Sequence, residues 1–302
     1  MPTLRAVIVT SMFLTAAGLG QDDWSLIRSR TFSDITQIAD SCRGILGLAV
    51  IDLTTGDTFG IRDTLVYPQG SAIKIPILME LYRQAHQGAL KLTDRLPVKR
   101  ANQVGGSGHL QYFGDGTSEL SLRDLGIMMI IESDNTATNM LIDRLGMQQV
   151  NAMLRSLGLT HTLLQRRMMN TEASARGIEN ISTPREAARI MQTLYRGEFL
   201  GQKECAEMLD VLALPKSGDL QAGVPDTVRV AFKPGEIAGV TTEWALVNLK
   251  ERPYVLVAMN KFGLCTDASA AMRRISALLF EYFWRLGHST RYGAYADPGL
   301  WK

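Results

Sequence analysis

Strand-like patterning sits at both ends of this 302-residue chain and is missing from its middle. Gly44-Ile45-Leu46-Gly47-Leu48-Ala49-Val50-Ile51-Asp52 is apolar and extended, Thr54–Asp57 reads as a turn, and Thr58–Ile61 returns as a hairpin partner. From Ser71 to about Leu214 the apolar spacing is helical. Strands then resume: Thr227–Lys233 and Thr242–Leu249 alternate, and Tyr254–Met259 is a buried-type run. Amphipathic helices from about Asp22 to Ala39 and from about Asp267 to Leu286 flank the whole. This order predicts an α+β fold, an antiparallel sheet assembled from two distant segments and covered by helices, with a helical insertion between them.

Composition excludes several functions. Lysine and arginine number 32 against 30 acids, which leaves no field suited to nucleic acid. Cys42, Cys205 and Cys265 are too few for a disulfide framework, and His86, His109, His161 and His288 show no zinc-ligand spacing. No glycine-rich phosphate loop is present, so neither metal nor cofactor is expected. Arg5 precedes an apolar run, Ala6–Ala17, that is too short to span a membrane; Gly18, Gly20 and the polar Gln21-Asp22-Asp23 follow. Residues 1–20 therefore read as a signal peptide, leaving an exported chain with no stable membrane span.

With metals and cofactors set aside, the chemistry rests on serine, lysine and carboxylates. Gly70-Ser71-Ala72-Ile73-Lys74 opens a predicted helix that stops at Gly88, and it places Lys74 one turn beyond Ser71 on the same face. A lysine amine whose pKa is lowered by burial or a second cation can take a serine proton. Alone, such a pair is more often a capped helix with a solvated lysine. Pro76 removes an amide near the second turn and is expected to loosen or bend the helix start. A second signal, Ser133-Asp134-Asn135, lies between two helices, where it also serves as an ordinary cap. A third, Lys233-Pro234-Gly235-Glu236, ends a strand, and by itself reads as a Pro-Gly turn.

Taken together, these stretches resemble the Ser-x-x-Lys, Ser-Asp-Asn and Lys-Thr-Gly motifs of the serine β-lactamases and penicillin-binding proteins. Their order matches. So do the separations, 62 residues from Ser71 to Ser133 and 100 from Ser133 to Lys233, which fit the class A β-lactamases. The resemblance implies a five-stranded antiparallel sheet flanked by helices, with an α/β lobe of about 21–66 and 216–302 and a helical lobe of about 67–215. It makes Ser71 the nucleophile and Lys74 its base, and Ser133 the donor to the departing nitrogen. Asn135 would orient Lys74 and the substrate amide, Asp134 would hold the turn, and Lys233 and Gly235 would border the substrate carboxylate. The amides of Ser71 and Glu236 would form the oxyanion hole, each supplying about 3–4 kcal/mol of transition-state stabilisation. It also makes the first and last strands neighbours, so that Cys42 and Cys265 come within reach of a disulfide.

Three departures qualify the resemblance. Where class A enzymes carry Glu-x-x-Leu-Asn to place the deacylating water, this chain has Arg166-Arg167-Met168-Met169-Asn170, with the asparagine kept and arginine in the glutamate's place. Arginine is no base at physiological pH. Glu172 or Glu179 could replace it, but Glu179 is expected to close the loop on Arg166 or Arg167. Pro234 removes a hydroxyl and requires an edge strand. Thr241-Thr242-Glu243 puts an acid where many class A enzymes have a carboxylate-binding arginine. Met128, Met129, Met168 and Met169 are read as core, and Gly105-Gly106-Ser107-Gly108 as a mobile wall of the cleft. The expectation is a monomeric serine hydrolase acting on β-lactams or peptidoglycan-like small molecules. Its alternatives are D-alanyl-D-alanine carboxypeptidase-like or esterase activity, and a binding protein that stays acylated.

Overall fold

The computed structural model describes residues 23–114, 116–290 and 292–295. The signal-peptide reading of residues 1–20 lies outside them.

In chain order, helix α1 (Asp23–Ser41) leads into the hairpin β1 (Ile45–Asp52) and β2 (Thr58–Ile61). A two-residue strand, β3 (Tyr67–Pro68), precedes a 3-10 turn at Gly70–Ile73 and helix α2 (Lys74–His86). A small ribbon, β4 (Arg95–Pro97) and β5 (Glu119–Ser121), brackets the next loop. Helices α3 (Leu122–Ile131), α4 (Asn135–Leu145), α5 (Met147–Ser156) and the short α6 (Thr171–Ala175) follow. Strand β6 (Ile181–Ser182) pairs with β3, and helices α7 (Pro184–Tyr195) and α8 (Gln202–Leu212) complete the insertion. Strands β7 (Val230–Ile237), β8 (Val240–Val247) and β9 (Tyr254–Lys261) and the long helix α9 (Cys265–His288) finish the chain.

The main sheet has the order β2-β1-β9-β8-β7 and is antiparallel throughout. Its centre joins the two distant segments: β1 pairs with β9 along its whole length, Ile45 opposite Lys261 and Asp52 opposite Tyr254. Period-two alternation sorts the side chains between two cores. Leu46, Leu48 and Val50 of β1 and Tyr254, Leu256 and Ala258 of β9 pack with α1 and α9 on one face. Ala49 and Ile51, with Val255, Val257 and Met259, pack under the helical insertion on the other. Both faces are covered, so the central strands read as apolar runs.

Helix starts are chemically specified. Ser121 Oγ accepts from Asp124 N (3.0 Å), and Asp134 Oδ1 accepts from Ala137 N (2.8 Å). Thr183 Oγ1 accepts from Glu186 N (3.2 Å), with Pro184 in the first turn, and caps of this kind contribute about 1 kcal/mol each.

Several expectations are corrected. Pro76 does not interrupt α2: the chain turns through a 3-10 segment first, α2 begins at Lys74 and runs on to His86, and Pro76 falls in its first turn, where loss of an amide is tolerated. Lys233-Pro234-Gly235 is not a strand end. Strand β7 starts later than its alternation suggested, at Val230, and runs on to Ile237; Pro234 is tolerated because β7 is an edge. Glu186, in the first turn of α7, accepts from Thr160 N (2.9 Å), His161 N (3.0 Å) and Thr162 Oγ1 (2.7 Å), anchoring the loop that follows. Cys42 is a free thiol, and the side chain of Cys265, its expected partner, lies outside the described residues.

Candidate active site

The turn carrying Ser71 is pressed against edge strand β7. Gln69 holds it from several sides. Its amide donates to Asn180 O (2.8 Å), its carbonyl accepts from Thr242 Oγ1 (3.0 Å), and its side-chain oxygen accepts from buried Trp244 Nε1 (2.9 Å). Gly235 makes the close approach possible, since a Cβ there would stand 2.2 Å from Gln69 O and 2.6 Å from Ala72 N. This contact brings the backbone of Ser71 alongside that of Glu236, whose side chain points to solvent.

Lys74 is fully buried at the base of this turn. Its Nζ lies 3.0 Å from Ser71 Oγ, 3.0 Å from Ser133 Oγ, 2.7 Å from Ser133 O and 3.0 Å from Asn135 Oδ1. Four oxygens outnumber the three protons of an ammonium. A neutral amine has two protons to donate and a lone pair that faces a hydroxyl. Burial, then the charge of Lys233, pulls the Lys74 pKa well below its ordinary 10.5, against a smaller opposing effect from Asp134. The arrangement therefore favours the form that can accept a proton.

Ser133 adopts a left-handed backbone, φ 50°, unusual for a residue other than glycine. Two neighbours hold it there. Buried Asp134 accepts from Ala137 N and from Leu110 N (2.8 Å), and Asn135 N donates to Ser107 O (3.0 Å). Lys233 Nζ reaches Ser133 Oγ at 3.2 Å and Pro234 O at 3.0 Å. Its pKa is pulled to about 7 by burial first and then by Lys216, with Glu243 opposing. Ser71, Lys74, Ser133, Asn135 and Lys233 thus form one hydrogen-bonded cluster from three separated stretches of sequence.

Asn170 stands apart from that cluster. Its side chain is exposed and caps α6, accepting from Ala173 N at 3.0 Å. The 163–180 loop is instead gripped by three other asparagines. Asn151 Oδ1 accepts from Leu164 N (2.9 Å), Asn139 Oδ1 from Met168 N (2.8 Å), and Asn180 Oδ1 from Gln165 N (2.7 Å) and Arg166 N (3.0 Å). Within it, Arg166 Nε and Nη2 donate to Glu179 Oε2 at 2.9 and 2.7 Å, and Glu179 also accepts from Ser174 Oγ. Arg167 pairs outward with Asp143, and Glu172 is exposed. The loop 105–108 is tied down rather than loose, by the bond to Ser107 O, by Asn135 Nδ2 on Gly105 O (3.2 Å), and by Thr136 Oγ1 accepting from Val104 N (3.1 Å).

A cavity of about 580 Å³ runs from Ser71 between the 163–180 loop and β7–β8, with Arg166, Met168, Met169 and Ile237 among its walls. A second, of about 410 Å³, opens on the other side of Ser71, toward Lys233 and α9. Among the described residues no cluster of histidine, cysteine and carboxylate groups could hold a metal ion.

The sequence matches the model of the beta-lactamase enzyme family over residues 30–283. The chain belongs to that family. Similar curated proteins are β-lactamase L2 of Stenotrophomonas maltophilia, 28% identical across 67% of this chain and 68% of its own, and β-lactamase CTX-M-97 of Escherichia coli, 26% identical across 78% and 82%. Among solved structures, an ancestral class A β-lactamase superposes with a TM-score of 0.77 at 27% identity, covering 84% of this chain and all of the other. A PBP-A variant captured as an acyl-enzyme with penicillin G gives 0.77 at 26%, covering 85% and 97%.

In this β-lactamase-family protein, sequence reasoning passed over some of the cavity walls. Met169 is 46% exposed and lines the larger cavity, whereas Met129 is core as expected. Thr241, Asp219 and Arg273 line the smaller cavity, and no spacing or motif joins residues so far apart.

Proposed function

We propose that this protein is a class A-like serine hydrolase that opens β-lactams by acylation of Ser71, with release of the acyl group as its slow step. The observation that carries the reading is the buried Lys74 amine set 3.0 Å from the hydroxyls of both Ser71 and Ser133. Neutral Lys74 takes the Ser71 proton as Oγ adds to the lactam carbonyl, and the amides of Ser71 and Glu236 receive the oxyanion. The carbon–nitrogen bond then breaks. Ser133 passes its proton to the departing nitrogen and is reprotonated from Lys74, which leaves Ser71 esterified and the lysine neutral again. General acid–base assistance of this kind contributes about 100- to 10,000-fold.

Hydrolysis of the ester needs an activated water. Arg166, at the position of the class A glutamate, lines the cavity beside Ser71, and its guanidinium is committed to Glu179. A guanidinium supplies no base at neutral pH, and Glu179, which lines the same cavity, is paired with it. The same pair favours a second reading, a penicillin-binding protein that keeps the acyl group. Residues 1–20 support export, to the compartment where peptidoglycan lies. Among the described residues no helix is long and apolar enough to cross a membrane.

Incubation with a chromogenic cephalosporin, followed by colour and intact mass, tests the reading. A single adduct on Ser71 with slow, repeated colour release is expected. An adduct without turnover selects the binding protein, and hydrolysis by a folded Ser71→Ala variant would overturn both.

A further inference from the structure

The main sheet has two ends, and the residues around Ser71 gather at one of them. Glu236 faces Thr241, Thr241 faces Asn260, and Asn260 faces Leu46, so the catalytic turn sits level with the start of β1. Asp52 ends that strand, about 20 Å further on at roughly 3.3 Å per residue. There, on the face covered by α1 and α9, lies a separate cavity of about 400 Å³. Among the described residues it shares no wall with the two cavities beside Ser71.

The lining is aromatic and the rim is charged. Phe32 of α1 stacks on Phe59 of β2 with ring centroids 3.8 Å apart, and Tyr282 of α9 leans on Phe32 at 5.6 Å. Val50 and Leu286 add apolar surface. A concave, mostly apolar space with a few convergent polar groups is the usual form of a small-molecule site, and this volume lies in the lower part of that range.

The polar groups differ in how far they are already used. Asp52, 5% exposed, is saturated. Its Oδ1 accepts from Thr54 N (2.8 Å) and Thr55 N (3.3 Å), and its Oδ2 from Arg252 Nε (2.9 Å) and Nη2 (2.6 Å). Arg28 is not. Its guanidinium meets Thr58 O at 3.4 Å and Asp57 Oδ2 at 3.8 Å, both beyond the length of a good hydrogen bond. It nevertheless has a seat, 5.7 Å from the centre of the Phe32 ring, whose face attracts a cation. Asp57 is 61% exposed, so returning it to water costs little. The cavity thus offers spare donors beside an aromatic wall. A cationic ligand would compete with Arg28 for that ring, whereas an anion completes the guanidinium.

We propose that this cavity is a second binding site, for a small aromatic carboxylate. Its ring system lies against Phe32, Phe59 and Tyr282, and its carboxylate takes the Arg28 guanidinium as a bidentate pair in place of Asp57. Fork-to-fork bonds of that kind are short and roughly twice as strong as neutral ones. Binding here is independent of acylation at Ser71.

Indole-3-acetate and its uncharged match, indole-3-acetamide, test the proposal. Calorimetric titration of the protein should give one saturable site for the acid, with a Kd of about 1 mM or tighter. The amide should bind about 10-fold more weakly. Arg28→Gln should weaken the acid about 10-fold and the amide less than about 2-fold, with Arg28→Lys recovering part of the loss. Arg28 is 42% exposed, so the urea midpoint of Arg28→Gln serves as the check that the variant folds. Amide hydrogen exchange should slow in α1 and the 53–58 turn when the acid is bound, and stay unchanged around Ser71 and Lys233. No saturation below about 5 mM overturns the proposal, as does equal affinity for acid and amide. So does an acid affinity that Arg28→Gln lowers no more than it lowers the amide's, or protection that appears around Ser71 and Lys233 instead.

Discussion

Arg166 and Glu179 close the 163–180 loop on itself, guanidinium to carboxylate at 2.7 Å, with 10% and 17% of their side chains exposed. A charge left alone in such a place costs more than the pair returned on forming. Glu179→Gln is therefore expected to lower unfolding stability by about 3 kcal/mol, and an Arg166→Met/Glu179→Leu double substitution by much less. Urea unfolding of the three proteins measures this. A single substitution that costs under about 0.5 kcal/mol would mean the pair behaves as an ordinary surface contact.

Acylation should depend on pH through two lysines with opposite requirements. Lys74 must be neutral to take the Ser71 proton, and its pKa is lowered by burial and by Lys233, so the rate rises as pH climbs through that value. Lys233 must be charged to attract a carboxylate, and its pKa lies at about 7, so the rate falls again above that pH. The expected profile of the second-order acylation rate is a bell. Lys233→Arg carries its charge far beyond neutrality and should remove the alkaline limb while keeping the acid one. An alkaline limb unmoved by that substitution would assign it to another group.

Ser133 offers a way to part chemistry from stability. Its φ of 50° places a side chain in a backbone region that suits glycine, at a cost of order 1 kcal/mol. Ser133→Ala and Ser133→Gly both lose the hydroxyl between Lys74 and Lys233, and both should slow acylation by about 100-fold or more. Only the glycine variant relieves the backbone, so it should be the more stable of the two by about 1 kcal/mol. Equal thermal and urea midpoints would show that the turn bears no strain.

How much of this could be read from the residues depends on the range of the interaction. The strands at either end announced themselves because alternation is local, and it was the family resemblance that set β1 beside β9. Ser71 and Lys74 sit one helical turn apart, Ser133 opens a cap and Lys233 precedes a Pro-Gly pair on a strand; they stood out because the three motifs, each ordinary alone, fall in the family's order and spacing. The extent of β7 was misjudged, since Pro234 and Gly235 look like a turn until an edge strand and a close-packed 3-10 segment explain them. Asn170 kept its place in the pattern, yet its oxygen is occupied by a helix cap. Arg273, Asp219 and Thr241 were illegible, because three elements distant in sequence meet only in the folded cleft.

Two buried groups and one half-buried lysine give the fold itself a pH signature. Glu243 is held at about 7 against an ordinary 4.5, chiefly by burial and against the pull of three amides. Lys233 and Lys216 are held at about 7 and about 8 against 10.5, again chiefly by burial. Between pH 4.5 and 7 the native Glu243 keeps a proton that the unfolded chain has released, so stability falls as pH rises. Between about pH 7 and 10.5 the unfolded lysines hold protons that the native ones have given up, so stability rises with pH. These groups together place a stability minimum near pH 7–8. Urea midpoints taken from pH 5 to 9.5 should trace that trough, and in Glu243→Gln its acid side should flatten while the rise above pH 8 persists. A monotonic profile in the unaltered protein, or an acid side unchanged in the variant, would show that Glu243 is ionised in the native fold throughout this range and that the amides of Asp219, Leu220 and Gln221 outweigh its burial.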